Sequence, residues 1–107
     1  MSELQIILND ILEFRRERDW EQFHTPKNLA ISVSVEAGEL LELFQWTNLA
    51  PKDEISHEIA DVFIYLILLS HDLGIDLLGA VRLKMNENRQ RYPVSLAKGK
   101  STKWTKL

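Results

Sequence analysis

Two pairs of acids stand out by spacing and surroundings: Glu36 with Glu39, and Glu58 with Asp61. Residues three apart on a helix lie about 60° apart around its axis and one turn along it, so each pair can aim both carboxylates at one point. The neighbours carry more information than the acids. Glu36 lies between Val35 and Ala37, Glu39 precedes Leu40 and Leu41, Glu58 precedes Ile59, and Asp61 lies between Ala60 and Val62. Acids in such apolar stretches are expected to turn inward, where burial is costly unless something positive compensates it. Four converging carboxylates would also repel one another. A hard divalent cation relieves both costs, and an all-oxygen ligand set selects Mg²⁺, with Mn²⁺ as a substitute. Plain solvated helix faces would explain one such pair well, but explain two pairs in apolar runs poorly.

Mg²⁺ held by carboxylates commonly binds phosphate oxygens and keeps several waters. The chemistry that suits it is attack of water on a phosphoryl group, which needs little beyond positioning and charge stabilisation. Lys84, Arg89, Arg91, Tyr65 and Tyr92 offer cations and hydroxyls for phosphates, and Lys84 and Asn88 share one helical face at i,i+4. Trp20 and Trp46 stand near expected helix ends, where a flat base can stack. The plainer reading of these lysines and arginines is solubilising charge, and of the tryptophans core or rim packing.

The elements that must position these groups read as helices. Ser2-Glu3-Leu4-Gln5 has the form of a capping box. Leu4, Ile7, Leu8, Ile11 and Leu12 follow at helical spacing, with acids and arginines on the other face, and this helix is expected to end near Trp20 to Phe23. Thr25 is a good N-cap and Pro26 a good first helical residue for a second helix running to about Trp46. Its core-facing set is Leu29, Ile31, Val33, Leu40, Leu41 and Phe44; the β-branched run from Ile31 to Val35 is the sole strand candidate and lies inside this helical pattern. A third helix is expected from Pro51 to about Asp72, stopped by Gly74, and a fourth capped by Asp76 with Pro93 just past its end. The tail from Val94 to Leu107 is poor in apolar residues and holds four lysines. It reads as a solvated, mobile end, or alternatively as a flap over a neighbouring subunit's site. The expected fold class is therefore all-α: a bundle of about four helices, one domain over residues 1–107, gaining stability by homo-oligomeric assembly because so short a chain buries a limited core.

Bulk composition narrows the classes. With 45% hydrophobic and 27% charged residues the chain is globular in type. A net charge of −3 argues against a nucleic-acid polymer as partner, though not against a single nucleotide. The absence of cysteine excludes disulfides, thiolate nucleophiles and zinc–sulfur sites. The longest apolar run, Val62 to Leu69, is far short of the roughly 20 residues that span a bilayer. Met1-Ser2-Glu3-Leu4 lacks the basic start of a signal peptide, so no membrane role and a cytoplasmic setting are the expectation.

Several segments together resemble a known family. They are Arg18-Asp19-Trp20-Glu21-Gln22-Phe23-His24, Glu36-Ala37-Gly38-Glu39-Leu40, Phe44-Gln45-Trp46, Glu58-Ile59-Ala60-Asp61-Val62-Phe63-Ile64-Tyr65 and the stretch from Lys84 to Pro93. The pattern is similar to the MazG-like all-α nucleotide pyrophosphohydrolases, with E-x-x-E followed by E-x-x-D, and most similar to their dCTP pyrophosphatase type. The resemblance implies cleavage of a nucleoside triphosphate between the α and β phosphates, giving monophosphate and pyrophosphate, with dCTP or a modified dCTP as substrate and removal of unwanted nucleotides as the role. It implies that Glu36, Glu39, Glu58 and Asp61 hold Mg²⁺ and that one of them helps to activate water. It further implies that Trp20 and Trp46 hold the base, that Tyr65, Lys84, Asn88 and Tyr92 surround the phosphates, and that sites form between subunits of a dimer or tetramer. One departure concerns the base: where relatives of the dCTP type can carry a histidine on the first helix, this chain has Ile11.

Three rival patterns compete with this resemblance. His57-Glu58-Ile59-Ala60-Asp61 is a broken H-E-x-x-H zinc motif, with Asp61 in the second ligand place. Glu21-Gln22-Phe23-His24 and Glu54-Ile55-Ser56-His57 spell the Glu-x-x-His of a di-iron bundle, but both fall at helix ends. A non-catalytic helical interaction or nucleotide-binding module would need no inward acids.

Overall fold

A computed structural model describes all of residues 1–107. It contains four helices of 15 to 21 residues, α1 (Glu3–Glu17), α2 (Pro26–Glu42), α3 (Lys52–Asp72) and α4 (Leu77–Arg91), followed by a one-turn α5 (Val94–Ala97). Short 3₁₀ turns lie at Glu21–Phe23 and Trp104–Lys106. There is no strand, and the run from Ile31 to Val35 is helical within α2. No single helix is long and apolar enough to cross a membrane.

The helix starts follow the expected chemistry. Ser2 Oγ accepts from the Gln5 amide at 3.2 Å, while the Gln5 side chain turns away to Asn9, so only half of the capping box forms. Thr25 Oγ1 accepts from the Asn28 amide at 3.2 Å ahead of Pro26, and Asp76 caps α4 through the Gly79 amide at 3.1 Å.

The helix ends differ from expectation in two places. α1 stops at Glu17, not near Trp20 to Phe23. Asp19 takes a left-handed φ of 52°, its amide donates to Arg16 O, and the Trp20 amide donates to Arg15 O. This is a Schellman end with aspartate in the place usually held by glycine, and a stop rule that looks for glycine misses it. The same turn brings Trp20 back onto Phe14, ring centroids 5.6 Å apart and nearly perpendicular. α2 stops at Glu42, short of Trp46, because the Phe44 and Gln45 amides bond three residues back and the last turn tightens without any glycine or proline. At the end of α3 Gly74, with φ 67°, makes the expected stop: its amide reaches His71 O and the Ile75 amide reaches Ser70 O.

The chain divides into two compact units, Met1–Ile75 and Asp76–Leu107. In the first, α2 packs against α3 and α1 makes a smaller contact with α3. Its fully buried residues are Leu29, Ile67 and Leu68, together with one charged side chain, Arg15. Arg15 was expected on the polar face of α1. It instead continues the half-buried stripe Leu4, Leu8, Ile11 at helical spacing, and it meets Asp72 at the end of α3 in a two-pronged ion pair of 2.8 and 3.0 Å. Of the set expected to face the core from α2, Leu29 is buried and Val33 and Leu40 are half-buried, whereas Ile31, Leu41 and Phe44 are exposed. α2 carries apolar residues on more than one side, and this chain covers one of them. In the second unit, the Arg91 guanidinium lies 4.6 Å from the centre of the Trp104 ring, and Lys84 pairs with Glu87 at 3.4 Å.

Candidate functional site

The packing of α2 on α3 brings the two acid pairs together. Each pair occupies one face of its own helix, and the side chains reach across the gap between them. Carboxylate oxygens of Glu36, Glu58 and Asp61 lie within 4.8 Å of one another, and all three residues are half-buried. Glu39 is exposed and outside this triple, yet its carboxylate helps to raise the proton affinity of both Glu36 and Glu58.

Within the chain only His57 acts against this charge, as the smallest of the influences on Glu58. Oε2 of Glu36 and Oε2 of Glu58 are buried and accept no hydrogen bond. Desolvation, and then the neighbouring carboxylates, push the proton affinity of both Glu36 and Glu58 above the usual carboxylate range. An all-oxygen cluster with two unpartnered oxygens has the donor chemistry for a hard divalent ion. The pairs Glu21/His24 and Glu54/His57, which a di-iron site would need, form no such group.

The raised proton affinities set the sign of a stability effect. A carboxyl that binds its proton more tightly in the fold than in the unfolded chain favours folding at pH below its ordinary range. That contribution is lost as pH rises through the raised value. Without divalent ions, Glu58→Gln is therefore expected to melt higher than the parent at pH 7–8, with the advantage shrinking toward pH 5. Added Mg²⁺ should stabilise the parent more than the variant. Thermal melts at two pH values, with EDTA or with Mg²⁺, check this; a variant that melts lower than the parent in EDTA at pH 8 would contradict it.

One turn beyond Asp61 on α3, Tyr65 opens a second feature. A cavity of about 70 Å³ lies between α1, the turn after it and α3. Ile11, Phe14, Ile64 and Leu68 make it largely apolar, and Trp20 and Tyr65 add aromatic surface. Its polar members are Arg15, already paired with Asp72, and His24. The His24 ring stands edge-on to Tyr65, centroids 6.4 Å apart, and its Nδ1 is buried without a partner. Desolvation, followed by the nearby Arg15 charge, lowers the proton affinity of His24, so the ring is neutral near pH 7.

The structure thus brings together Glu36, Glu58 and Asp61, leaves Glu39 exposed outside that group, and places Trp20 and Tyr65 at the neighbouring cavity. Trp46 is 89% exposed and lines no part of that cavity. Lys84, Asn88 and Tyr92 belong to the second unit, along one face of α4 and its cap, with Asn88 O accepting from the Tyr92 amide at 2.8 Å. Sequence reasoning missed Arg15, Phe14 and His24 as cavity residues. The available signal for Arg15 was its place on the Leu4-Leu8-Ile11 stripe; no spacing rule announces the other two, which the Schellman turn and the 3₁₀ turn bring into place.

The MazG-like family model matches residues 31–107, which include all four acids. The dCTP pyrophosphatase 1 of Rattus norvegicus is 48% identical over an alignment covering 89% of this chain, and that of Homo sapiens is 45% identical over the same share. The chain spans about 62% of the length of these curated relatives. Among solved structures, a pyrophosphatase from Archaeoglobus fulgidus superimposes with a TM-score of 0.82 at 42% identity, covering 87% of this chain and 94% of that one.

Proposed function

Since this chain belongs to the MazG-like family, we propose that it is a Mg²⁺-dependent nucleoside triphosphate pyrophosphohydrolase that converts dCTP, or a modified dCTP, to the monophosphate and pyrophosphate. The observation that carries this is the meeting of Glu36, Glu58 and Asp61 within 4.8 Å, with two carboxylate oxygens left unpartnered in a buried place. Glu36, Glu39, Glu58 and Asp61 would hold the metal. When bound, Mg²⁺ (or Mn²⁺ in its stead) supplies charge neutralisation at the phosphate oxygens and makes a nearby water more acidic.

The chain's own residues do the rest. One of the four carboxylates takes the proton of the attacking water. Trp20, in the wall of a largely apolar cavity whose Tyr65 lies one helical turn from Asp61, gives a nucleobase a place out of water. Tyr65 stands between cavity and acids and is positioned for the sugar or the phosphates. Lys84, Asn88 and Tyr92 recur at i, i+4 and i+8, a register suited to gripping a polyphosphate. Lys84 is committed only to a surface pair with Glu87, which a phosphate can outcompete.

The acting form is a homo-oligomer, dimer or tetramer. Support comes from the apolar surface that a single chain leaves uncovered, with Leu41 72% and Trp46 89% exposed and Ile59 and Phe63 also open. In such an assembly Trp46 serves the base site of another copy, and the cytoplasmic nucleotide pool is its place of work.

A pyrophosphate-release assay over the common nucleotides, with Mg²⁺ and with EDTA, tests the whole proposal. Monophosphate and pyrophosphate are expected from dCTP, with turnover lost in EDTA. Orthophosphate as the product, or no turnover of any nucleotide, would refute the activity. Equal or better turnover of dUTP, dATP or dTTP would refute the dCTP preference alone.

A further inference from the structure

Charge is divided unevenly along this chain. All 16 acids lie at or before Glu87, whereas six of the 13 lysines and arginines follow it. Residues 88–107 therefore carry six positive side chains and no negative one, on a protein whose net charge is −3. Such a run is commonly a solvated, self-repelling end, but here it is folded. Pro93 leads into the one-turn α5, and Gly99 turns the chain at a φ of 75°. A 3₁₀ turn follows at Trp104–Lys106, with the Lys106 amide donating to Lys103 O at 2.8 Å. This path carries Trp104 back onto Arg91, the last residue of α4, with the guanidinium carbon 4.6 Å from the ring centre.

Arg91 is held there without being neutralised. The ion pairs of the protein are Arg15–Asp72, Arg16–Glu13 and Lys84–Glu87, and none involves Arg91 or the tail lysines. A guanidinium on an aromatic face keeps its N–H edges free, because stacking uses its plane and not its donors. Arg91 is also half-buried, so part of its rotamer freedom is spent before any ligand arrives. It lies seven residues after Lys84 and three after Asn88, on the same face of α4. Trp104 thus steadies a fork of donors whose geometry matches phosphate.

The charge division also selects the size of the ligand. Up to Glu87 the chain has 16 negative side chains against seven positive. An extended polyanion, such as a nucleic acid or an anionic membrane, would meet that negative excess as well as the cations. A short polyanion lying within one screening length of the tail, about 8 Å, feels mainly the cations.

We propose that the segment from Arg89 to Lys106 is an arm that binds the phosphate chain of the nucleotide, with Trp104 as a positioning residue that holds Arg91 for two-pronged contact. This inference rests on the nucleotide-hydrolysing reading above and extends its phosphate grip past α4 into the tail.

The test has a binding arm and a kinetic arm. Inorganic pyrophosphate, titrated into the full chain without divalent ions and followed by calorimetry, is expected to bind Trp104→Leu about tenfold more weakly than the parent, the size of one charge-assisted hydrogen bond. In steady-state assays, Trp104→Leu should raise KM for dCTP and dUTP by the same factor, with a smaller effect on kcat, because the arm reads phosphate and not base. Trp104→Phe, which keeps an aromatic face, should recover most of the loss. Starting from Arg91→Ala, adding Trp104→Leu should change KM no further, since the ring acts through the guanidinium. An added loss there would overturn the positioning role, and so would a Trp104→Phe as impaired as Trp104→Leu. Equal pyrophosphate binding by the parent, Trp104→Leu and Arg91→Ala would overturn the arm even if dCTP is hydrolysed. A parent that hydrolyses no nucleotide while those pyrophosphate differences hold would overturn the activity but not the arm. Tighter binding of an oligodeoxynucleotide than of pyrophosphate at physiological salt would overturn the choice of ligand. A smaller assembly for Trp104→Leu at unchanged KM would do the same, and would make the tail a clasp between copies.

Discussion

Glu58→Gln is expected to lower kcat/KM for nucleotide hydrolysis on the order of 10³-fold while leaving the helical fold in place. The substitution keeps the size of the side chain and removes its charge. Glu58 is one of the three residues whose oxygens meet, and one of its oxygens is buried without a partner. Charge stabilisation by a catalytic metal is worth several kcal/mol, and each tenfold in rate is about 1.4 kcal/mol. Losing a ligand from so small a set should therefore remove most of the rate. The loss should come with weaker Mg²⁺ binding, read by calorimetry, and should be only partly recovered at high Mg²⁺. Circular dichroism should be unchanged. Wild-type turnover by this variant would mean that the cluster is not where the chemistry happens.

The second large effect concerns stability. Arg15 and Asp72 lie 57 residues apart in sequence and tie the end of α1 to the end of α3. Their exposure is unequal: the Arg15 side chain is 5% exposed and that of Asp72 is 19%. Removing one partner of a buried pair strands the other, and the cost depends on which one is stranded. Asp72→Asn leaves a guanidinium sealed from water and is expected to cost about 3–5 kcal/mol. Arg15→Met leaves a carboxylate that can still reach solvent and is expected to cost less, about 1–2 kcal/mol. The double variant Arg15→Met/Asp72→Asn should be more stable than Asp72→Asn, because no charge is left buried. Urea unfolding of the four proteins at one fixed concentration measures the cycle; fixed concentration matters because any self-association adds to apparent stability. If Asp72→Asn cost less than Arg15→Met, the pair would be a surface bridge in effect. Because Arg15 also lines the cavity, Asp72→Asn should raise KM as well.

Much of this protein was legible from residue order alone. Helix starts were readable because capping is local: Thr25, Pro26 and Asp76 act within three residues of themselves. The acid pairs were readable because i,i+3 spacing within apolar runs has one geometric meaning on a helix. Helix ends were less so. Gly74 stops α3 at a positive φ that glycine takes without strain, whereas Asp19 adopts a positive φ because the turn and its neighbours stabilise it, and α2 unwinds after Glu42 with no breaker to mark it.

What the tertiary structure alone decided are the contacts made between segments distant in the chain. Periodicity places Arg15 on an apolar stripe, but only Asp72, arriving from the far end of α3, makes a cation tolerable there. No local pattern marks His24 as a pocket residue; a turn, a 3₁₀ turn and the flank of α3 enclose it together. The same holds for which apolar face of α2 is covered, since Leu29 is buried and Leu41 is open although both fit the helical period. Spacing fixes where a side chain points around its own axis. What it meets there depends on the path of the rest of the chain.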